Sequence, residues 1–218
     1  MRPMRFYLVR HAESALNAEK IHQHRDTPLH ERGSAQIERI AERLSPVGID
    51  AILASPYERT KLTALGIAEA LGGLPVEYDE DLREIRRPSE MQGKKTTDPD
   101  VLAIQAQIVA HYADPHYAYS DEESFADLKA RGMRVLDRVA ASGREKLLGV
   151  SHAAMIRVIV ACAMFGSELA PREYQGLWGT VIDNTGVTVL EHDRAHEGPH
   201  PWGNPWKIIT INDADRVR

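Results

Sequence analysis

Three short runs of near-continuous apolar residues recur along the chain: Phe6-Tyr7-Leu8-Val9, Ala51-Ile52-Leu53-Ala54 and Lys146-Leu147-Leu148-Gly149-Val150, each bounded by polar residues. Runs of this length, apolar at successive positions, predict strands buried on both faces, as in a parallel sheet. Between them the apolar positions take helical spacing. Ile37, Ile40, Ala41 and Leu44 share one face of a helix over 34–44. Leu62, Leu65 and Ala68 mark another over 57–71, which Gly72-Gly73 stops, and a third runs from Ala153 to Phe165. Val76-Glu77-Tyr78 is a short strand-like piece, and Gly186–Leu190 and Trp206–Ile211 predict two further strands joined by the His- and Pro-rich loop His192–Pro205. Strand and helix alternating in this order predict an α/β fold, a three-layer αβα sandwich with a mainly parallel central sheet.

The middle of the chain breaks that rhythm. Asp100–Tyr112 and Glu122–Ala141 read as helices, separated by the turn-forming, aromatic stretch Ala113–Ser120. This block, approximately 86–142, is expected as a helical cap inserted into a single domain that spans 1–218.

Composition narrows the function classes. With 27 basic and 32 acidic residues mixed along 218, the chain lacks the basic footprint of a nucleic-acid binder, so any anion it takes must meet a local cluster. Met1–Arg5 leads straight into a strand pattern and no run of about 18 apolar residues follows, which predicts a cytoplasmic protein with no membrane partner. The one cysteine, Cys162, sits in the apolar run Met155–Phe165. It rules out an internal disulfide and reads as a core residue.

Candidate chemistry gathers where the predicted strands end, the side on which open α/β sheets bind their ligands. The first strand releases Arg10-His11, the second Ser55-Pro56-Tyr57-Glu58-Arg59-Thr60, the third Ser151-His152. Arginine offers a fixed charge and a planar fork suited to phosphate, and helix N-termini add backbone N–H groups. A neutral imidazole nitrogen can attack phosphorus, with surrounding cations stabilising the equatorial oxygens. Such a site needs a proton donor for the leaving oxygen. Glu84, in Asp81-Leu82-Arg83-Glu84-Ile85, is the candidate, and a carboxylate paired with Arg83, Arg86 or Arg87 is the competing reading.

Five ordered motifs carry a resemblance. Leu8-Val9-Arg10-His11-Ala12-Glu13-Ser14 resembles the Arg-His-Gly/Ala signature of the histidine phosphatase superfamily, whose fold is phosphoglycerate mutase-like. Leu29–Gln36, Ser55–Ala64, Leu82-Arg83-Glu84 and Val150-Ser151-His152-Ala153 resemble its later motifs, in the family's order, and Asn17 stands at the family's asparagine position. The resemblance implies that His11 is the nucleophile and becomes phosphohistidine, that Arg10, Arg59 and His152 bind the transferring phosphoryl group, and that Asn17 reaches phosphate or substrate. Glu84 would act as general acid and then general base. No metal or other cofactor is implied, since the cationic side chains supply that charge.

The chain departs from the family pattern in several places. Ala12 stands where glycine is commoner, and His30 where threonine is usual. After Glu84 the chain reads Ile85-Arg86-Arg87-Pro88-Ser89-Glu90-Met91-Gln92-Gly93, which leaves open whether Glu90 assists. The F-T-G-W stretch of resembling mutases is absent, replaced by Ile21-His22-Gln23-His24-Arg25-Asp26. The expected function is therefore a metal-independent phosphomonoesterase acting on a phosphorylated small molecule or phosphoprotein. A phosphoglycerate mutase-type transferase and a non-enzymatic phospho-ligand-binding member of the fold are the alternatives. Arg25, Arg86, Arg87, Lys94 and Lys95 are candidates to recognise a second anionic group. His22 and His24 lack a convincing third metal ligand, and His192, His196 and His200 read as solvated loop residues. An apolar edge strand at Trp206–Ile211 leaves a homodimer open.

Overall fold

The computed structural model describes residues 3–194 and 205–214. Among these, six strands form one sheet: β1 (Met4–Arg10), β2 (Ala51–Ala54), β3 (Val76–Tyr78), β4 (Lys146–Ser151), β5 (Val187–His192) and β6 (Trp206–Asp213), in the order β3-β2-β4-β1-β5-β6. The first four pair in parallel, β5 runs antiparallel to β1, and β6 antiparallel to β5. Seven α-helices of the described residues accompany them: α1 (Ala15–Ala18), α2 (Arg32–Leu44), α3 (Glu58–Ala70), α4 (Pro99–Ala110), α5 (Phe125–Ala141), α6 (Ala153–Phe165) and α7 (Pro171–Gly176). No helix among the described residues is long and apolar enough to cross a membrane.

Strand alternation splits the core into two layers. Met4, Phe6, Leu8, Ala51 and Leu53 point to the side of α5 and α6, where they join Val135, Leu136, Val139, Met155 and Ile159. Tyr7, Val9, Ile52, Ala54, Leu148 and Val150 point to the other side, against Ile40 and Leu44 of α2 and Ala64 and Ile67 of α3. Both faces of the central strands are thus covered, which is why they are apolar at successive positions. Gly149 lets β4 lie close to the first layer: a Cβ there would stand 2.7 Å from the Phe6 ring. Cys162 is fully buried in that layer, its thiol donating to the Lys129 carbonyl at 3.6 Å, and burial pushes its pKa up to about 12. That is the behaviour of a packing residue.

The block expected as a cap, approximately 86–142, is placed in two parts. Met91, Val101 and Ile104 form a separate small cluster around α4. By contrast α5 lies in the main core against α6, with Phe125, Leu128 and Val139 buried there. Its apolar stripe packs on the sheet layer, so it is a flanking helix of the sandwich. The short α7, starting at Pro171, leaves no mark in the apolar pattern because six residues give too few turns for a period to show. It adds Tyr174 to the core. β6 is one edge of the sheet, with Ile209 half exposed.

Candidate active site

β2, β4 and β1 are neighbours and parallel, so Ser55, His152 and His11 leave the sheet at one end, the carboxyl end of the strands. Backbone bonds fix the exits: His11 N–H donates to the Ser151 carbonyl at 2.9 Å and Ser55 N–H to the Val150 carbonyl at 3.0 Å. The loop before β5 grips the same place from outside. Thr185 N–H donates to the Arg10 carbonyl at 2.9 Å and Asn184 Nδ2 to the His11 carbonyl at 2.8 Å.

The His11 ring is buried and its Nδ1 lies 2.7 Å from the Ala12 carbonyl. A carbonyl only accepts, so Nδ1 carries the proton and Nε2 keeps its lone pair. Arg59, at the start of α3, donates from Nε to that Nε2 at 3.3 Å, and its Nη2 lies 3.2 Å from His152 Nδ1. Since a guanidinium only donates, His152 carries its proton on Nε2 and gives it to Ser55 Oγ at 2.9 Å. The two imidazoles meet edge to face, 5.1 Å between centroids, and Tyr57 packs on His152 at 5.2 Å with the Arg59 guanidinium over its ring. Arg59 is further held by the His24 carbonyl at 3.0 Å.

The Ser-Pro-x-x-Arg-Thr-x-x-Thr stretch is a scaffold for these groups. Thr60 Oγ1 bonds the Ser55 carbonyl at 2.8 Å, while Thr63 Oγ1 donates to the Arg59 carbonyl at 2.6 Å and accepts from Ala12 N–H at 3.0 Å. In this stretch the sequence points to Arg59 alone as a chemical group. Ser55 and Thr63 stand out only as motif matches, and Asn184 leaves no local signal.

Arg10 Nη1 donates to the Ile182 carbonyl at 2.7 Å, and its Nε is buried without a hydrogen-bond partner among the described residues. Glu84 approaches from the segment after β3. Its Oε1 accepts from Ile85 N–H at 2.9 Å and from Met155 N–H, in the first turn of α6, at 3.2 Å, where a carboxylate favours the helix dipole. The competing reading, an ion pair of Glu84 with Arg83, Arg86 or Arg87, is not what the described residues show: Arg83 pairs with Glu123 instead. Arg10, His11, Arg59, Glu84 and Asn17 all line one cleft of about 490 Å³, and buried His152 lies behind Arg59. Asn17 sits on its wall with Oδ1 accepting from Ser14 Oγ at 2.8 Å. Glu90 is exposed, off the cleft wall, and bonded by Ser89 Oγ at 3.4 Å. His22 lines the cleft and His30 lies apart beside Glu13, and no group of three or more His, Cys, Asp or Glu gathers as a metal site among the described residues. His192 packs on Trp206, while His196 and His200 lie outside the described residues.

The site is electropositive, and its two imidazoles are buried. Burial drives the His11 pKa well below its ordinary 6.5, with Arg59 and Arg10 adding to the shift and the Ala12 carbonyl opposing it. His152 is lowered in the same way, by burial first and then by Arg59, His11 and Arg10. Burial also brings Arg59 down to about 10. Neither Arg10 nor Arg59 forms an ion pair among the described residues. A pocket of buried cations and neutral rings is arranged for an anion.

The two rings make stability depend on pH. The unfolded chain binds protons on both histidines near pH 6.5 while the folded chain does not, so their contribution is complete above 6.5 and is lost as pH falls below it. The urea midpoint is expected to drop across that window, and inorganic phosphate, which favours the protonated rings, is expected to recover part of the loss. A pH-independent midpoint would contradict neutral, buried rings.

Comparison with known proteins agrees with this geometry. Residues 6–205 match the family model of the histidine phosphatase superfamily (branch 1). A Hydrogenobacter thermophilus protein named, provisionally, phosphoserine phosphatase 2 is 32% identical over 189 residues, covering 85% of this chain and 88% of that one. A shorter stretch of 83 residues, 38% of each chain, is 41% identical to a Salmonella arizonae protein provisionally named phosphoglycerate mutase GpmB. Among solved structures, a mycobacterial glucosyl-3-phosphoglycerate phosphatase superposes with a TM-score of 0.79 at 26% identity, over 98% of this chain and 100% of that one. With sheet order, strand-end histidines and family match in accord, the chain belongs to branch 1 of the histidine phosphatase superfamily and is a phosphatase.

Proposed function

We propose that this phosphatase hydrolyses phosphate monoesters through a phosphohistidine on His11, with Glu84 as general acid and base. The observation that carries the reading is Arg59, whose Nε and Nη2 reach His11 Nε2 and His152 Nδ1 at 3.3 and 3.2 Å. One fixed cation thus spans the nucleophilic nitrogen and the second ring, where the oxygens of a transferring phosphoryl group need to be held.

In the first step Arg59 turns its N–H donors from Nε2 of His11 to the phosphoryl oxygens, and the freed Nε2 lone pair attacks phosphorus in line. The N–P bond forms as the bond from phosphorus to the ester oxygen breaks, and the departing oxygen takes a proton from Glu84. The Ala12 carbonyl, accepting from Nδ1–H, offsets the positive charge that develops on the ring. Arg10 and Arg59 bind the equatorial oxygens, His152 joins them through Nδ1 once the phosphoryl group favours its protonated form, and Asn17 contacts phosphate or substrate from the cleft wall. In the second step water attacks phosphorus, Glu84 takes its proton, and the N–P electron pair returns to Nε2. The products are an alcohol and inorganic phosphate. The reading calls on no metal or other cofactor.

The activities for which the relatives are named, on phosphoserine and glucosyl-3-phosphoglycerate, support a phosphorylated small molecule as substrate. Glu84→Gln is expected to cost about 10²–10⁴-fold in kcat/KM on an alkyl phosphate and much less on para-nitrophenyl phosphate, whose oxygen departs with little protonation. Equal losses on the two would remove Glu84 from the acid role. The mutase match over 83 residues supports a second reading, transfer between phosphoglycerates, which their interconversion by the purified protein would select.

A further inference from the structure

Beside the catalytic cleft lies a second cavity of about 300 Å³, and the two share Arg87, Ala154 and Arg157 as a common wall. Its remaining lining is mostly apolar or aromatic: Ile108, Val109, Tyr174 and Trp178, with Gln105. Trp178 stands edge to face on Tyr112 at 4.7 Å, so its ring is held in place although the residue is 40% exposed. No carboxylate of the described residues lines this cavity.

Neither of the two shared arginines is tied up in an ion pair among the described residues, although Glu122 lies within electrostatic reach of Arg87. Arg157 is anchored through Nε to the Thr180 carbonyl at 2.8 Å, which leaves both terminal amino groups of its guanidinium to donate elsewhere. Neither Arg157 nor Arg87 pairs with a carboxylate among the described residues. Of the other cations suggested by the sequence, Lys94 pairs with Asp100 at 2.8 Å, Arg25 approaches Glu80 at 3.8 Å, and Arg86 lines the catalytic cleft but not this cavity. Two guanidiniums at the junction of a phosphate cleft and an aromatic cavity fit an anionic group that is not the transferring phosphate.

We propose that this cavity is a subsite for the part of the substrate that leaves. It takes an apolar or aromatic body on Trp178 and Tyr174, whose own anionic group, a carboxylate or a second phosphoryl or phosphonyl group, is bound by Arg87 and Arg157. The proposal rests on the phosphomonoesterase reading above, which fixes the phosphate end in the neighbouring cleft.

Three aryl phosphates test it: para-propylphenyl phosphate, para-(carboxyethyl)phenyl phosphate and para-(phosphonoethyl)phenyl phosphate. Two methylenes insulate the added charge from the ester oxygen, so leaving-group acidity is nearly matched. The wild-type protein is expected to favour the charged esters over the propyl ester by about tenfold or more in kcat/KM, the worth of one charge-assisted contact. The larger preference of the two identifies carboxylate or phosphonate. In Arg87→Gln/Arg157→Gln the ratio is expected to fall to near one, whatever happens to the absolute rates. Equal kcat/KM for all three esters in the wild-type protein, or a preference that survives the double substitution, overturns the subsite. Failure of the underlying reading looks different: all three esters would stay intact, or all would be hydrolysed as well by His11→Ala.

Discussion

His11→Ala is expected to fold and to lose turnover of para-nitrophenyl phosphate by a factor on the order of 10³ or more, the scale seen when a covalent nucleophile is removed. Folding should survive because the backbone at residue 11 is held independently of the ring: its N–H donates to Ser151 and its carbonyl accepts from Asn184. The ring's own bonds, to the Ala12 carbonyl and to Arg59, lie within the site and not in the sheet. Arg10, Arg59 and His152 remain in the variant, so inorganic phosphate should still bind. Loss of turnover with retained phosphate binding separates a missing nucleophile from a collapsed pocket. Near wild-type turnover in this variant would remove His11 from the chemistry, and loss of both properties would point to the pocket instead.

Glu123→Ala is expected to cost about 3–5 kcal/mol of stability, because it strands a buried guanidinium. Arg131 is 1% exposed and pairs with Glu123 Oε2 at 2.8 Å, while Oε1 of the same carboxylate takes Arg83 at 2.8 Å. Against a total stability of about 5–15 kcal/mol for a typical domain, that loss should shift the urea midpoint strongly. The network also frames Glu84. Arg131 Nη1 donates to the Asp81 and Arg83 carbonyls at 3.3 and 2.6 Å, Glu123 Oε2 accepts from Arg86 N–H at 2.7 Å, and Ser151 Oγ donates to the Leu82 carbonyl at 2.7 Å. The segment that carries the proposed acid is therefore clamped on both sides of it. Below its lowered melting point, Glu123→Ala should lose more kcat/KM on an alkyl phosphate than on para-nitrophenyl phosphate, with Glu123→Gln intermediate. A stability loss with equal effects on both esters would make the network purely structural.

The central strands are legible in the chain because they are buried on both faces: Ala51–Ala54 coincides with β2, and β1 and β4 differ by a few end residues, while Val76–Tyr78 coincides with β3, a largely exposed edge strand marked by its residue types. The helices are equally plain in position, and α6 spans Ala153–Phe165 as expected, but the face expected of α3 is not the buried one: Leu62 and Leu65 are exposed, and Thr60, Thr63, Ala64, Ile67 and Ala68 turn inward. What periodicity does not carry is the partner of an apolar face. The stripe of α5 announces packing, and only the fold shows that it packs on α6 and the sheet. The strand-end residues Arg10, His11, Arg59 and His152 are legible because each follows a strand or opens a helix. Glu84 is marked by its motif, and its neighbours Arg131 and Glu123 are not, since their pairing joins distant parts of the chain. Arg157 is hidden inside an apolar helix, where a lone cation reads as a solvated residue until the cavity beside it is known.

The proposed chemistry turns on a covalent bond between phosphorus and His11. Rapid quenching of wild-type protein during turnover of a phosphate-labelled ester, followed by peptide mapping under alkaline conditions that preserve phosphohistidine, measures it directly. The label is expected on the peptide containing His11, at Nε2, and is expected to disappear as inorganic phosphate is released. Label on a different residue, or no covalent label while substrate is being consumed, would rule that bond out.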